Sequence, residues 1–298
     1  MGGKPKTAGG AKGRRPGGGP IPCGLMDPNL AARLAAAGVD PAAPGDPKEA
    51  WRRLFAAFGP RATLIDRYAL EAASRGVAVE GLPAEDRREM AREVFTARDP
   101  AMAIFGESGG DPVEVVPYNS TWPEAFAVWR DRLAAALGGA ARRIEHVGST
   151  AVPGLAAKPV IDVQVSVPDV ADEAAYRPAL EALGLPLRSR ESGHRYFRPP
   201  QGRPRVVQVH VCAAGSPWER AHLLFRDYLR SHAGAREAYA ALKASVAGQY
   251  REDRIAYNEA KAGFILDALE AAERWAAAAA WRPGAGTRPE WVTSAGPS

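Results

Sequence analysis

The stretch that decides the fold is Val160-Ile161-Asp162-Val163-Gln164-Val165-Ser166-Val167. Ile161, Val163, Val165 and Val167 alternate with Asp162, Gln164 and Ser166. Successive side chains of a strand point to opposite faces, so this segment is a strand with one apolar and one polar side. Val206 to Cys212 repeats the pattern, with Val207, Val209 and Val211 against Gln208 and His210. If the two strands are neighbours, Asp162, Gln164, Gln208 and His210 share one sheet face. Helices packed on the valine face would leave the polar one as the candidate pocket.

Working outward, further short strands are expected at 113–116, 142–147 and 194–197, the last within a hairpin. A helix is expected from Thr121, which stands at capping-box spacing from Glu124 and precedes Phe126, Trp129, Leu133 and Leu137 at three- to four-residue intervals. Residues 173–183 read as helical. Ser216-Pro217-Trp218-Glu219 is a complete helix start, with a cap, a proline in the first turn and a glutamate three residues after the cap. Two more helices are expected behind it, the last running unbroken from about Asp253 to Trp275. Residues 113–275 therefore read as one domain of mixed α/β (α+β) class.

Residues 27–98 read as a small all-helical module of four short helices. Asp27-Pro28 and Asp46-Pro47 supply caps followed by proline, and Trp51, Leu54, Phe55 and Phe58 form an apolar stripe. This module contains no histidine and no chemical motif, so a packing role or a protein partner is expected of it. Residues 99–112 read as a linker, and 1–25 and 276–298 as disordered tails rich in Gly, Pro and small residues.

Composition narrows the function. The formal net charge is +5, and residues 1–20 hold Lys4, Lys6, Lys12, Arg14 and Arg15 without an acid. The rest of the chain carries equal numbers of basic and acidic residues. The excess thus belongs to a tail, whereas a nucleic-acid reader carries it on the folded surface, so no specific nucleic acid is expected. No apolar run is long enough for a membrane span. Cys23 and Cys212 lie in unrelated contexts, which argues for a reducing cytoplasm rather than a disulfide framework.

All five histidines fall after residue 140. Gly148-Ser149-Thr150 directly follows a strand, where glycine allows close approach and hydroxyls with exposed amides can hold phosphate. Lys158 adds positive charge, and Asp162 is placed to hold a divalent cation, Mg²⁺ or Mn²⁺, against that phosphate. Arg226 and Arg230 share a helix face that can meet a phosphate or dock the helix by salt bridges. His146, Asp162 and His210 form a second possible set, as ligands of a metal or, for Asp162 with His210, as an acid–base pair.

The run from His146 through Gly148-Ser149-Thr150, Pro153-Gly154-Leu155 and Lys158-Pro159 to Asp162 resembles the signature of the GrpB family. Val209-His210-Val211, Trp218 to Leu223, Phe225 to Arg230, Tyr239 and Leu242-Lys243 resemble its later motifs. The resemblance covers about 113–275 and leaves residues 1–110 unmatched. It implies a nucleotidyltransferase-like mixed sheet with flanking helices and a pocket for a nucleotide or another phosphorylated small molecule. It also implies a Gly-Ser motif at Gly148-Ser149 and a first metal carboxylate at Asp162. The second carboxylate position is held by Gln164, which is neutral, and the third falls near Gln208 and His210. Two Mg²⁺ ions side by side need several carboxylates. Nucleotide binding is therefore a firmer expectation than nucleotidyl transfer. Some relatives carry the domain fused to a dephospho-coenzyme A kinase, but the N-terminal region here has no GxxxxGK[ST] phosphate loop.

Overall fold

The computed structural model describes residues 27–105 and 112–283. The expected N-terminal tail lies outside them, as do residues 106–111 of the expected linker and 284–298 of the expected C-terminal tail. The described chain divides into two compact units, residues 27–62 with 66–90 and residues 63–65 with 91–283.

The N-terminal region is helical: α1 (Pro28–Ala36), α2 (Pro47–Phe58), α3 (Leu64–Arg75) and α4 (Ala84–Arg98). Its caps are those the sequence offers. Asp27 accepts from the amide of Asn29 at 2.7 Å, and Asp46 from that of Glu49 at 2.8 Å. Leu34, Trp51, Leu54, Tyr68 and Leu70 are buried. Arg33 grips Asp66 with both terminal nitrogens, at 2.5 and 2.9 Å.

The larger unit is built on a six-stranded mixed sheet. Its strands are β1 (Ala103–Ile104), β2 (Arg143–Val147), β3 (Ile161–Val167), β4 (Leu187–Glu191), β5 (His194–Phe197) and β6 (Val207–Ala213). Their order across the sheet is β1-β4-β5-β6-β3-β2. β3 and β6 run parallel, and every other pairing is antiparallel. The two alternating strands are neighbours as expected, with Asp162 opposite Gln208 and Gln164 opposite His210.

Helices α5 (Trp122–Leu137) and α6 (Arg177–Ala182) cover the valine face. Trp122, Leu133 and Leu180 join Ile144, Val163, Val165, Val209, Val211 and Phe197 in one core. The chain ends in α7 (Pro217–Ser231), α8 (Ala233–Gln249), α9 (Arg254–Glu259) and α10 (Ala262–Ala278). Among the described residues, no helix is long and apolar enough to cross a membrane.

The structure departs from the sequence reading in four places. Residues 113–116 form no strand. Val116 instead makes a single bridge with Ala157, exchanging two hydrogen bonds of 2.9 Å with the segment between β2 and β3. Thr121 is not a capping side chain, because its own backbone is already α-helical. Asn119 takes over the turn, accepting from the Thr121 amide and hydroxyl at 2.9 Å each. The last helix is broken between Glu259 and Ala262, and α10 continues past Trp275 to Ala278. Finally, the polar sheet face is not left bare: α7 lies against it and pairs with its buried charges.

Candidate functional site

The polar face divides into a buried part held by α7 and an open part at the start of β3. In the buried part, Arg226 donates to Glu145 at 2.8 Å and to the carbonyl of His146 at 2.9 Å, while Asp227 accepts its Nε at 2.7 Å. Ser166 donates to Glu219 at 2.5 Å, and Glu219 also accepts the amide of Gly215. Arg230 donates to the carbonyl of Ala151 at 2.9 Å. Arg226 and Arg230 therefore dock α7 on β2 and on the turn that follows it. Of the two roles open to Arg226 in the sequence, the structure shows the salt-bridged one.

Gly148 turns the chain with φ of 70° and lies against Asp162. A Cβ there would meet the Asp162 Cβ and Cγ at 3.0 Å and fall into its carboxylate oxygen. Glycine is thus required by both backbone angle and space. Ser149 is half-buried and shares a hydrogen bond with Tyr239 of α8. Thr150 is only 1% exposed. Its hydroxyl lies 3.0 Å from His146 Nε2 and donates to the Val160 carbonyl at 3.3 Å. It fastens the turn from inside, so of the two expected phosphate hydroxyls only Ser149 reaches the opening.

The placement of His146 overturns one expected metal set. His146 pairs with Val163 in the antiparallel register, so its ring lies on the valine face, where it stacks on Phe126 at 4.7 Å. Asp162 and His210 lie on the other face. Among the described residues, no group of three His, Cys, Asp or Glu side chains is placed to hold a metal ion. Burial, with opposition from Asp162 and smaller contributions from Arg230 and Arg226, lowers the His146 pKa to about 4.

His210 does meet Asp162, at 3.5 Å from Nε2 to Oδ1, and its Nδ1 lies 3.0 Å from His194 Nε2. The Trp218 ring is sandwiched between His194 at 4.5 Å and His222 at 3.6 Å. Gln164, where the resemblance implies a second carboxylate, is fully buried, and among the described residues neither amide atom has a hydrogen-bond partner. The residues present do not fit a two-ion centre: one carboxylate, a buried amide and an imidazole cannot offset two adjacent divalent charges.

The structure adds a feature that the strand pattern alone does not contain. Lys158, from the loop before β3, meets Lys243 of α8 and Lys261 at the start of α10. Lys158 and Lys261 lie 4.9 and 4.1 Å from the same Tyr257 ring. Both donate to Asn258 Oδ1, at 3.5 and 3.2 Å. Lys243 donates to the Ala156 carbonyl and lies 4.8 Å from the Tyr239 ring. Among the described residues, none of the three has a carboxylate within ion-pair distance.

Burial is the main cause of lowered pKa values in all three lysines. Lys158 falls to about 8, with Arg254 and Arg205 adding to the effect and Asp162 opposing it. Lys243 falls to about 7, with Lys158 contributing. Lys261 falls well below its usual range, with Lys158 and Lys243 contributing and Asp162 opposing. The sequence leaves Lys243 and Lys261 open to a phosphate contact or to helix docking, because each lies in a helical stretch apart from the Gly148–Asp162 run. The break between α9 and α10 is what brings Lys261 in. Cys212 is a free, buried thiol whose pKa burial raises to about 12.

Residues 112–271 match the family model described as GrpB protein. The chain belongs to the GrpB family. The UPF0157 protein SCO7215 of Streptomyces coelicolor is 44% identical over 163 residues, which cover 55% of this chain and 86% of the relative. The UPF0157 protein YqkA of Bacillus subtilis is 33% identical over 189 residues, 63% of this chain and 55% of that protein. A protein named dephospho-CoA kinase from Mycobacterium bovis is 32% identical over 228 residues, 67% of this chain and 56% of its own length. The crystal structure of conserved protein GrpB from Enterococcus faecalis aligns with 30% identity, covering 54% of this chain and 99% of that one, with a TM-score of 0.48.

Proposed function

We propose that this GrpB domain binds the phosphate groups of a nucleotide or another phosphorylated small molecule. The site lies where Lys158, Lys243 and Lys261 meet beside Ser149 and Asp162. The observation that carries the reading is the lysine cluster itself. Three lysines at one site, two of them buried and, among the described residues, none with a carboxylate at ion-pair distance, repel one another and are poorly hydrated when charged. An anion with several negative oxygens relieves both costs at once. The name dephospho-CoA kinase, carried by one group of relatives, is in keeping with such a ligand.

In this reading Lys158, Lys243 and Lys261 hold the phosphate charge and Ser149 donates a hydroxyl. Asp162, a partly exposed carboxylate at the start of β3, lies beside them. A single Mg²⁺ or Mn²⁺ there would be shared with the ligand's own phosphate oxygens. Binding is favoured over nucleotidyl transfer because Gln164 is neutral and sealed beneath α7.

The test is thermal unfolding with pyrophosphate, nucleoside triphosphates and phosphorylated coenzyme A precursors, with and without Mg²⁺ or Mn²⁺. A ligand that binds only the folded state raises Tm with its concentration. The expected result is a saturable rise in the wild type that is lost when Lys158 and Lys261 are both changed to Ala. Absence of a shift with any phosphorylated compound overturns the reading. A metal-dependent part of the shift that survives Asp162→Ala removes the ion from it.

A further inference from the structure

From residue 49 onward the chain has 29 arginines and three lysines. The three are Lys158, Lys243 and Lys261, and they stand together. Arginine is always charged and binds phosphate oxygens in pairs, so a site that needs only positive charge is well served by it. Lysine differs in one respect that matters here: buried or crowded by other cations, its amine gives up a proton and becomes a nucleophile.

The geometry creates that crowding. Asn258 Oδ1 is shared by Lys158 and Lys261, and both press on the Tyr257 ring. Lys243 and Lys261 are buried, whereas Lys158 and Asp162 are only partly so. Without a bound anion, the cluster lowers its energy by releasing a proton. The amine so formed lies next to two further cations able to hold a phosphate.

We propose that Lys158 is an amine nucleophile that takes the carbonyl carbon of a phosphorylated aldehyde or ketone as an imine. The inference rests on the phosphate-binding reading: Lys243, Lys261 and Ser149 hold the phosphate while the carbonyl end meets Lys158. The neutral Nζ adds to the carbonyl carbon, and the C–N bond forms as the C=O π pair moves to oxygen. A proton passes from nitrogen to that oxygen. Water then leaves as the C=N bond forms, and neither an oxidant nor a reductant is required. The pKa of Lys158, lowered to about 8 chiefly by burial, agrees with this role.

The test uses the full chain with pyridoxal 5′-phosphate at stoichiometric concentration, followed by borohydride reduction and peptide mapping. Lys4, Lys6, Lys12 and Lys48, which precede the GrpB domain, are internal controls in the same digest. The expected label is at Lys158, with a rate that rises through about pH 8. Pyrophosphate should slow labelling by about tenfold or more at saturation, and pyridoxal without its phosphate should label poorly. Lys158→Arg should lose the adduct, because a guanidinium stays charged and forms no imine. Label spread over the control lysines, or label at Lys158 that pyrophosphate does not slow, overturns the proposal. If pyrophosphate raises Tm in the wild type but no adduct forms at Lys158, the imine fails and the phosphate site stands. If pyrophosphate does not bind, both fail.

Discussion

Gly148 and Asp162 approach closely: the Asp162 side chain occupies the space that a Cβ on Gly148 would need. Gly148→Ala combines a left-handed backbone with an overlap against Asp162, and is expected to cost about 2 kcal/mol or more. Urea unfolding would measure it. Because the clash is with the Asp162 side chain, adding Asp162→Gly should recover the steric share and leave the backbone share. Simple additivity of the two substitutions would sink this account.

Arg226 and Glu145 form a buried pair that joins α7 to β2, and Arg226 also holds the His146 carbonyl. Removing one partner leaves a buried charge, so Arg226→Leu is expected to destabilise by about 3–5 kcal/mol, and Glu145→Leu comparably. Arg226→Leu combined with Glu145→Leu should cost much less than the sum. Chemical denaturation of the three variants decides this. Equal, additive losses would mean that the pair acts independently.

Gln164 is fully buried with both amide atoms unpartnered. A buried polar group without a hydrogen bond is costly, whereas an apolar group of the same shape is neutral or better. Gln164→Met is therefore expected to raise the midpoint of urea unfolding. A clear fall in the midpoint would mean that the amide has partners in the folded protein.

His146 gives the acid limb of the stability profile. Its folded pKa of about 4 lies below the ordinary 6.5, so the unfolded chain binds more protons between those values. The stabilisation is present above pH 6.5 and is lost as pH falls towards 4, and it amounts to ~3 kcal/mol. His146→Phe should flatten that limb in pH-dependent unfolding. An unchanged slope between pH 4 and 6.5 would assign the acid limb elsewhere.

Lys243 acts at the other end. Its folded pKa of about 7 lies below the ordinary 10.5, so the ligand-free protein should become more stable as pH rises across that interval. Bound pyrophosphate restores the charged form and should make stability nearly independent of pH between 7 and 9. Lys243→Met is expected to raise the Tm of the ligand-free protein at pH 7 while reducing the response to pyrophosphate. A Tm lowered by that change, with the pyrophosphate response intact, would place Lys243 outside the site.

The sequence by itself determined the two alternating strands, three of the helix caps and the family. Alternation over Ile161–Val167 and Val207–Cys212 set which side chains share a face, because a strand has a strict period of two. Asp27, Asp46 and Ser216 marked true helix starts because their caps are local hydrogen bonds. It also put a neutral Gln164 where the family resemblance implies a second carboxylate. What the tertiary structure alone decided was which polar groups remain available. Strand register sent His146 to the core face, and α7 took Arg226 and Glu145 into a buried pair. Thr150 turned inward, and a break before α10 brought Lys261 to Lys158 and Lys243. These outcomes depend on long-range packing, in which Lys158 and Lys261, far apart in sequence, share one amide oxygen and one ring. No local periodicity records that competition, so the outline of the site was legible from Gly148 to Asp162, and its lysine cluster was not.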